Sequence, residues 1–126
     1  MIDTNKLEEL KNSAYIVRNK LETLVINSSD FKDDTLAQVM AVFTVCDRVV
    51  SIVYDYLIDP EEYGDRNLAL DLVGMEYLLR SVRNYDVRYY ALLLTGCAND
   101  NEVTTHFWNM VLLLEPKSLE EMGLMD

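Results

Sequence analysis

Hydrophobic positions recur along this chain with helical spacing almost from its start. Leu7, Leu10, Ala14, Val17, Leu21 and Leu24 follow one another at alternating steps of three and four, with charged and amide residues between them. That stripe predicts an amphipathic helix running to about Ile26, with Asp3, Thr4 or Asn5 as its N-cap. Asn27-Ser28-Ser29-Asp30 then reads as a loop, and Asp33-Asp34-Thr35 supplies caps and negative charge for a second helix. So short a connection makes the first two helices an antiparallel pair.

The second helix, Thr35 to Ile58, contains no Gly or Pro and is apolar on nearly every side. Its exceptions are Gln38 and a seam of Thr44, Asp47, Arg48, Ser51 and Asp55, which spans an arc of roughly 100° at about 100° per residue. Such a helix is expected at the centre of a domain, with Val45, Val49, Ile52 and Tyr56 facing away from the seam and deeply buried. The β-branched run Val49-Val50-Ser51-Ile52-Val53-Tyr54 would suit a strand on its own, which leaves an α+β fold as a minority reading. The absence of turn signals over so long a stretch decides for helix.

Asp59-Pro60-Glu61-Glu62 ends the second helix and can start a single turn capped by Asp59. Leu68, Leu72, Met75, Leu79 and Val82 resume helical spacing, and Tyr85, Tyr89, Leu92 and Leu93 can continue it. One long helix from about Asn67 to Gly96 and two helices broken near Asn84 both satisfy this pattern. Asn99-Asp100-Asn101 caps a further helix carrying Val103, Phe107, Met110, Val111 and Leu114, and Ser118-Leu119-Glu120-Glu121 reads as a capping box for a last turn. The sum is an all-α fold: a single domain, 1–126, built as a compact antiparallel bundle of four to five helices around the central apolar helix at about 35–58.

Composition narrows the function classes. The 126 residues carry 22 acidic and 11 basic side chains, a net charge of −11, while half the chain is hydrophobic. The hydrophobic content supplies a core and sets the chain apart from disordered acidic tails. The charge disfavours direct binding to nucleic acid or to anionic membrane surfaces and favours basic partners. Cys46 and Cys97 do not suggest a disulfide framework, the N-terminus lacks a charged-then-apolar signal pattern, and Asp47, Arg48 and Asp55 interrupt the apolar run at 36–58. A cytoplasmic location without membrane spanning is the expectation.

Chemistry-bearing patterns are sparse. His106 is the only histidine; Glu102 four residues before it has the wrong spacing for a di-iron bundle, and Cys46, Cys97 and His106 lack a fourth zinc ligand. The four glycines are isolated, and Asn99-Asp100-Asn101-Glu102 lacks the spacing of a calcium loop. No metal, no cofactor and no catalytic activity are expected. A small helical enzyme or ligand-binding bundle would have to use the Asp47, Arg48 and Asp55 seam turned over a pocket. The alternative for those carboxylates is an exposed edge, or pairing with arginines of the third helix.

Two features suggest binding instead. The segment Tyr77 to Tyr90 gathers Arg80, Arg83 and Arg88 with Tyr77, Tyr85, Tyr89 and Tyr90, the residue types enriched at interface hot spots. Acidic residues cluster at Asp30, Asp33 and Asp34, at Asp59, Glu61, Glu62 and Asp65, and at Glu115, Glu120, Glu121 and Asp126. The sequence therefore reads as a non-catalytic regulator or inhibitor that binds another protein, one of basic character. Immunity proteins, phage-encoded inhibitors and secretion chaperones are analogous as a class, with no motif that joins this chain to any of them. Further readings are an acidic mimic of nucleic acid that blocks a DNA- or RNA-binding enzyme, and a homo-oligomer assembled through the stripe of the first helix.

Overall fold

Asp3 opens the first helix by accepting the backbone N–H of Lys6 at 3.1 Å, so of the three candidate caps the first is used. In the computed structural model, which describes residues 2–26, 33–81 and 101–124, helix α1 spans Thr4–Ile26, α2 Asp33–Ile58, α3 Pro60–Tyr63, α4 Asp65–Ser81, α5 Asn101–Leu114 and α6 Pro116–Glu121. All six pack together, and the described residues contain no strand; the fold is all-α. The run at Val49–Tyr54 is helical, because the elements around it bury Val49, Ile52 and Val53. Whether 67–96 is one helix or two lies outside the described residues beyond Ser81.

The α1 stripe is consumed in the core: Leu7, Leu10, Ala14, Val17 and Leu21 are fully buried. They meet Val39, Val42, Cys46, Val49 and Val53 of α2 and Phe107, Met110 and Leu114 of α5, with Leu68, Leu72 and Leu79 of α4 completing one apolar cluster. An oligomer seam along that stripe is thereby unavailable. Val45, Val49, Ile52 and Tyr56 are all buried, as the seam geometry requires. The α2 helix is nonetheless less enclosed than its composition suggests, since Met40, Tyr54 and Ile58 are exposed beside the polar seam while Gln38 is buried. It is also the one helix among the described residues long and apolar enough to cross a membrane, over Leu36–Ile58.

Two links fix the directions of the helices. Arg18 Nε donates to Asp47 Oδ1 at 2.6 Å, and Lys11, Asn12 and Tyr15 border a cleft with Val50 and Tyr54, so α1 and α2 are antiparallel. The Asp47 carboxylate thus finds its arginine on the first helix and not the third; Arg18 is held protonated by that hydrogen bond and also lies over the Phe43 ring. Ser13 meets His106 and Asn109, and the Asp3 amide donates to the Met122 carbonyl at 2.9 Å, so α1 and α5 are antiparallel too. The C-terminal ends of α2 and α5 therefore both lie beside the start of α1.

The last turn differs from the capping-box expectation. Pro116, with its preset φ, takes the first position of α6, and Ser118 falls inside the helix, where its hydroxyl donates to the Leu112 carbonyl at 2.6 Å. Glu115 stands at the N-cap without a side-chain bond.

Candidate functional site: an acidic groove at one pole of the bundle

The corner between α2 and α4 is built by local rules. Pro60 starts the single turn α3, the Asp59 carboxylate accepts the Glu62 amide at 3.2 Å, and Gly64 reverses the chain at φ 87°, a conformation costly for any other residue. Across this corner the Tyr56 hydroxyl donates to Asp65 at 2.8 Å, and Asn67 Nδ2 donates to the Tyr63 carbonyl at 2.7 Å. The Tyr63 hydroxyl donates to Asp71, and the Tyr56 and Tyr63 rings meet edge to face, 6.1 Å between centroids.

These contacts frame an open groove of about 450 Å³ lined by Asp55, Asp59, Glu62, Tyr63, Asn67 and Asp71. Four carboxylates, from α2, the N-cap of α3, α3 itself and α4, thus face one concavity, and none of the described lining residues is a lysine or arginine. Arg48, two turns along α2 from Asp55, is close enough to oppose the effect of the carboxylates on Tyr63. Burial, then the bond to Asp71, holds the Tyr63 phenol neutral to about 12; burial and Asp65 do the same for Tyr56, also to about 12. Tyr63 is therefore a neutral hydrogen-bond donor at physiological pH and not a base. What the groove offers a ligand is acceptor oxygens and negative potential, a setting for an ammonium or guanidinium group.

The helix directions extend this polarity. Because the C-terminal ends of α2 and α5 share the pole where α1 begins, the cluster Asp59, Glu61, Glu62 and Asp65 lies at the same end of the bundle as Glu115, Glu120 and Glu121. Asp3, Glu8 and Glu9 join them from α1, with Lys6 and Lys11 paired locally to Glu9 at 3.7 Å and Glu8 at 3.1 Å. The third acidic run falls at the opposite end, where α2 begins; Asp30 and Asp126 lie outside the described residues.

The residues singled out from the sequence thus separate. Asp59 and Glu62 line the groove, Glu61 is exposed on α3 beside it, and Asp65 holds Tyr56. Arg80 is half exposed on α4 and paired with Glu76 one turn back, while Tyr77 is exposed. Arg83, Tyr85, Arg88 and Tyr89 lie outside the described residues. Sequence reasoning missed Tyr63, Asn67 and Asp71; the signal was their spacing of four across Gly64, which keeps one face in register through the break. The Asp47, Arg48 and Asp55 seam is split, since Asp47 turns to Arg18 and Asp55 to the groove.

A second polar cluster joins α1 to α5. Asn109 Nδ2 donates to Ser13 Oγ at 2.7 Å, and the same hydroxyl lies within hydrogen-bond distance, 3.1 Å, of His106 Nδ1. His106 Nε2 lies 4.0 Å from Glu102 Oε1. Ser13 is buried, so this chain of bonds satisfies an interhelical contact and presents no nucleophile to solvent. Cys46 is likewise enclosed, its thiol pushed up by burial and set 3.6 Å from Met110 Sδ. Among the described residues, no three potential ligands gather to hold a metal ion.

Compared with protein-family models, curated proteins and solved structures, the chain matches none.

Proposed function

We propose that this chain is a non-catalytic interaction protein whose acidic pole docks on a basic surface of a protein partner, acting as a regulator or inhibitor. The observation that carries the reading is the convergence of Asp55, Asp59, Glu62 and Asp71 on one groove, with no cation among its described lining residues. A lysine or arginine of the partner would enter there, accept the negative potential of all four carboxylates and receive orientation from the fixed Tyr63 and Asn67 groups. The surrounding acidic residues would steer encounter and fix register more than they would add affinity.

A second reading draws on a separate observation, the arrival of two acidic runs far apart in sequence at one pole. Spread charge of that kind suits a surrogate for nucleic-acid phosphates, which would occupy the basic groove of a DNA- or RNA-binding enzyme. The two readings part on competition. In the first, duplex DNA leaves the complex intact; in the second it displaces the chain.

The test is capture of partners from host lysate on the immobilised full chain, alongside an Asp59→Lys/Glu62→Lys variant whose helicity is checked by circular dichroism. Proteins of basic surface retained by the wild type, lost on the variant and released by salt are the expected result. Identical capture by both chains defeats the proposal.

A further inference from the structure

The exposed arc of α2 joins two concavities that flank it. Toward α1, Tyr15 and Tyr54, 51 % and 55 % exposed, border a cleft of about 270 Å³ with Val50, Asn12 and Lys11. Toward α4 lies the acidic groove. At about 100° per residue, Tyr54, Ile58, Ser51 and Asp55 follow one another around the arc between the two, and Ile58 is 64 % exposed within it. Cleft and groove are therefore parts of one face.

The two halves differ in kind. No carboxylate is among the described residues of the cleft, and its one lysine is turned to Glu8 at 3.1 Å, so the cleft offers aromatic and methylene surface. In the groove, none of the four carboxylates is ion-paired with a described residue. Arg48 and the Arg18–Asp47 pair stand about two turns back along α2, which confines the uncompensated negative charge to the end of the face nearest Pro60.

This asymmetry selects the occupant. A second copy would bring its own net charge of −11, and a cleft whose lysine is already paired, against the groove, which disfavours self-association here. A cation alone would satisfy the groove, but exposed ion pairs contribute about 1 kcal/mol or less. Apolar anchoring must supply the rest, and tyrosine is a residue type enriched at such anchors. Spacing adds a condition. Cleft and groove flank a single helix and so lie about 10 Å apart, the width of a helix with its side chains. Seven residues of a partner helix cover about 10.5 Å and return to nearly the same face, whereas three residues of a strand cover that distance and turn the two side chains to opposite faces.

We infer that the α2 face receives a basic amphipathic helix of the partner protein, which sets a bulky apolar side chain between Tyr15 and Tyr54 and, two turns further on, a lysine or arginine in the acidic groove. The inference rests on the reading of the groove as a docking site for a cation, and it adds the anchor that the groove lacks.

The probe is a synthetic three-heptad helical peptide carrying Trp and, seven residues on, Arg on one face, compared with the same peptide bearing Ala for Trp or Glu for Arg. Fluorescence anisotropy with the full chain should show saturable binding that either replacement weakens by about tenfold or more, the second chiefly at low salt. Tyr54→Ser, at an exposed position, should weaken the Trp peptide by about tenfold and leave the Ala peptide nearly unchanged, a selectivity that a merely structural role would not produce. Asp55→Asn/Glu62→Gln should abolish the preference for Arg over Glu. Dependence on Arg combined with indifference to Trp and to Tyr54→Ser would overturn the inference and leave the groove reading standing. Indifference to Arg and to Asp55→Asn/Glu62→Gln would defeat the groove reading and the inference with it, and absence of saturable binding would overturn the inference.

Discussion

The Tyr56 hydroxyl reaches Asp65 at 2.8 Å and so ties the last turns of α2 to the first turn of α4 across the Pro60 corner. The ring of the same tyrosine is buried in the core, which makes the acidic groove an extension of the packed interior. Tyr56→Phe keeps the packing and deletes the bond. Because Asp65 is exposed and can turn to water, the loss should be about 0.5–1.5 kcal/mol in a urea melt.

Alkaline titration reads the same corner. Tyr56 and Tyr63 have folded-state pKa values near 12, above the unfolded value of about 10. Groups raised in this way contribute stability that is fully present below pH ~10 and is lost as pH climbs toward ~12. Phenolate absorbance should therefore show late-titrating tyrosines, with one fewer in Tyr63→Phe and one fewer in Tyr56→Phe. Simultaneous titration of all the tyrosines in the folded chain would contradict this.

The buried α1–α5 contact depends on Ser13. Ser13→Ala removes a hydroxyl that satisfies Asn109 and His106 together, and leaves both without that partner. A cost of about 1–3 kcal/mol is expected, more than the loss of one methyl-sized group explains. The double variant Ser13→Ala/Asn109→Leu should recover part of it, as measured by a double-mutant cycle.

The core makes a simpler demand. Ile52 is buried on α2, and truncation to Ala should cost about 2–5 kcal/mol in chemical denaturation. A negligible change would be incompatible with α2 as the centre of the bundle.

Periodicity made most of the helices legible. The α1 stripe, the Asp59-Pro60 corner and the apolar residues of α5 each carried a local rule that the tertiary structure obeys. Ser118 shows where such rules fail, because its hydroxyl had a stronger claim from the Leu112 carbonyl than from its own helix. The site was half legible for a related reason. Asp59 and Glu62 stood out by charge density, whereas Asp71 and Asp55 joined them only through the fold of a corner, and the Arg18 partner of Asp47 lies 29 residues away in sequence. Composition reveals charge, and only chain direction reveals which charges share a pole.

The most direct measurement of the proposed function is the association rate of a captured partner across ionic strength, for the wild type and for Asp59→Lys/Glu61→Lys/Glu62→Lys. Steering by the acidic pole should give the wild type an on-rate that falls as salt rises, and the variant an on-rate about tenfold or more lower at low salt, with the two converging at high salt. An on-rate that ignores both the reversal and the salt would contradict the assignment of the acidic groove as the docking surface.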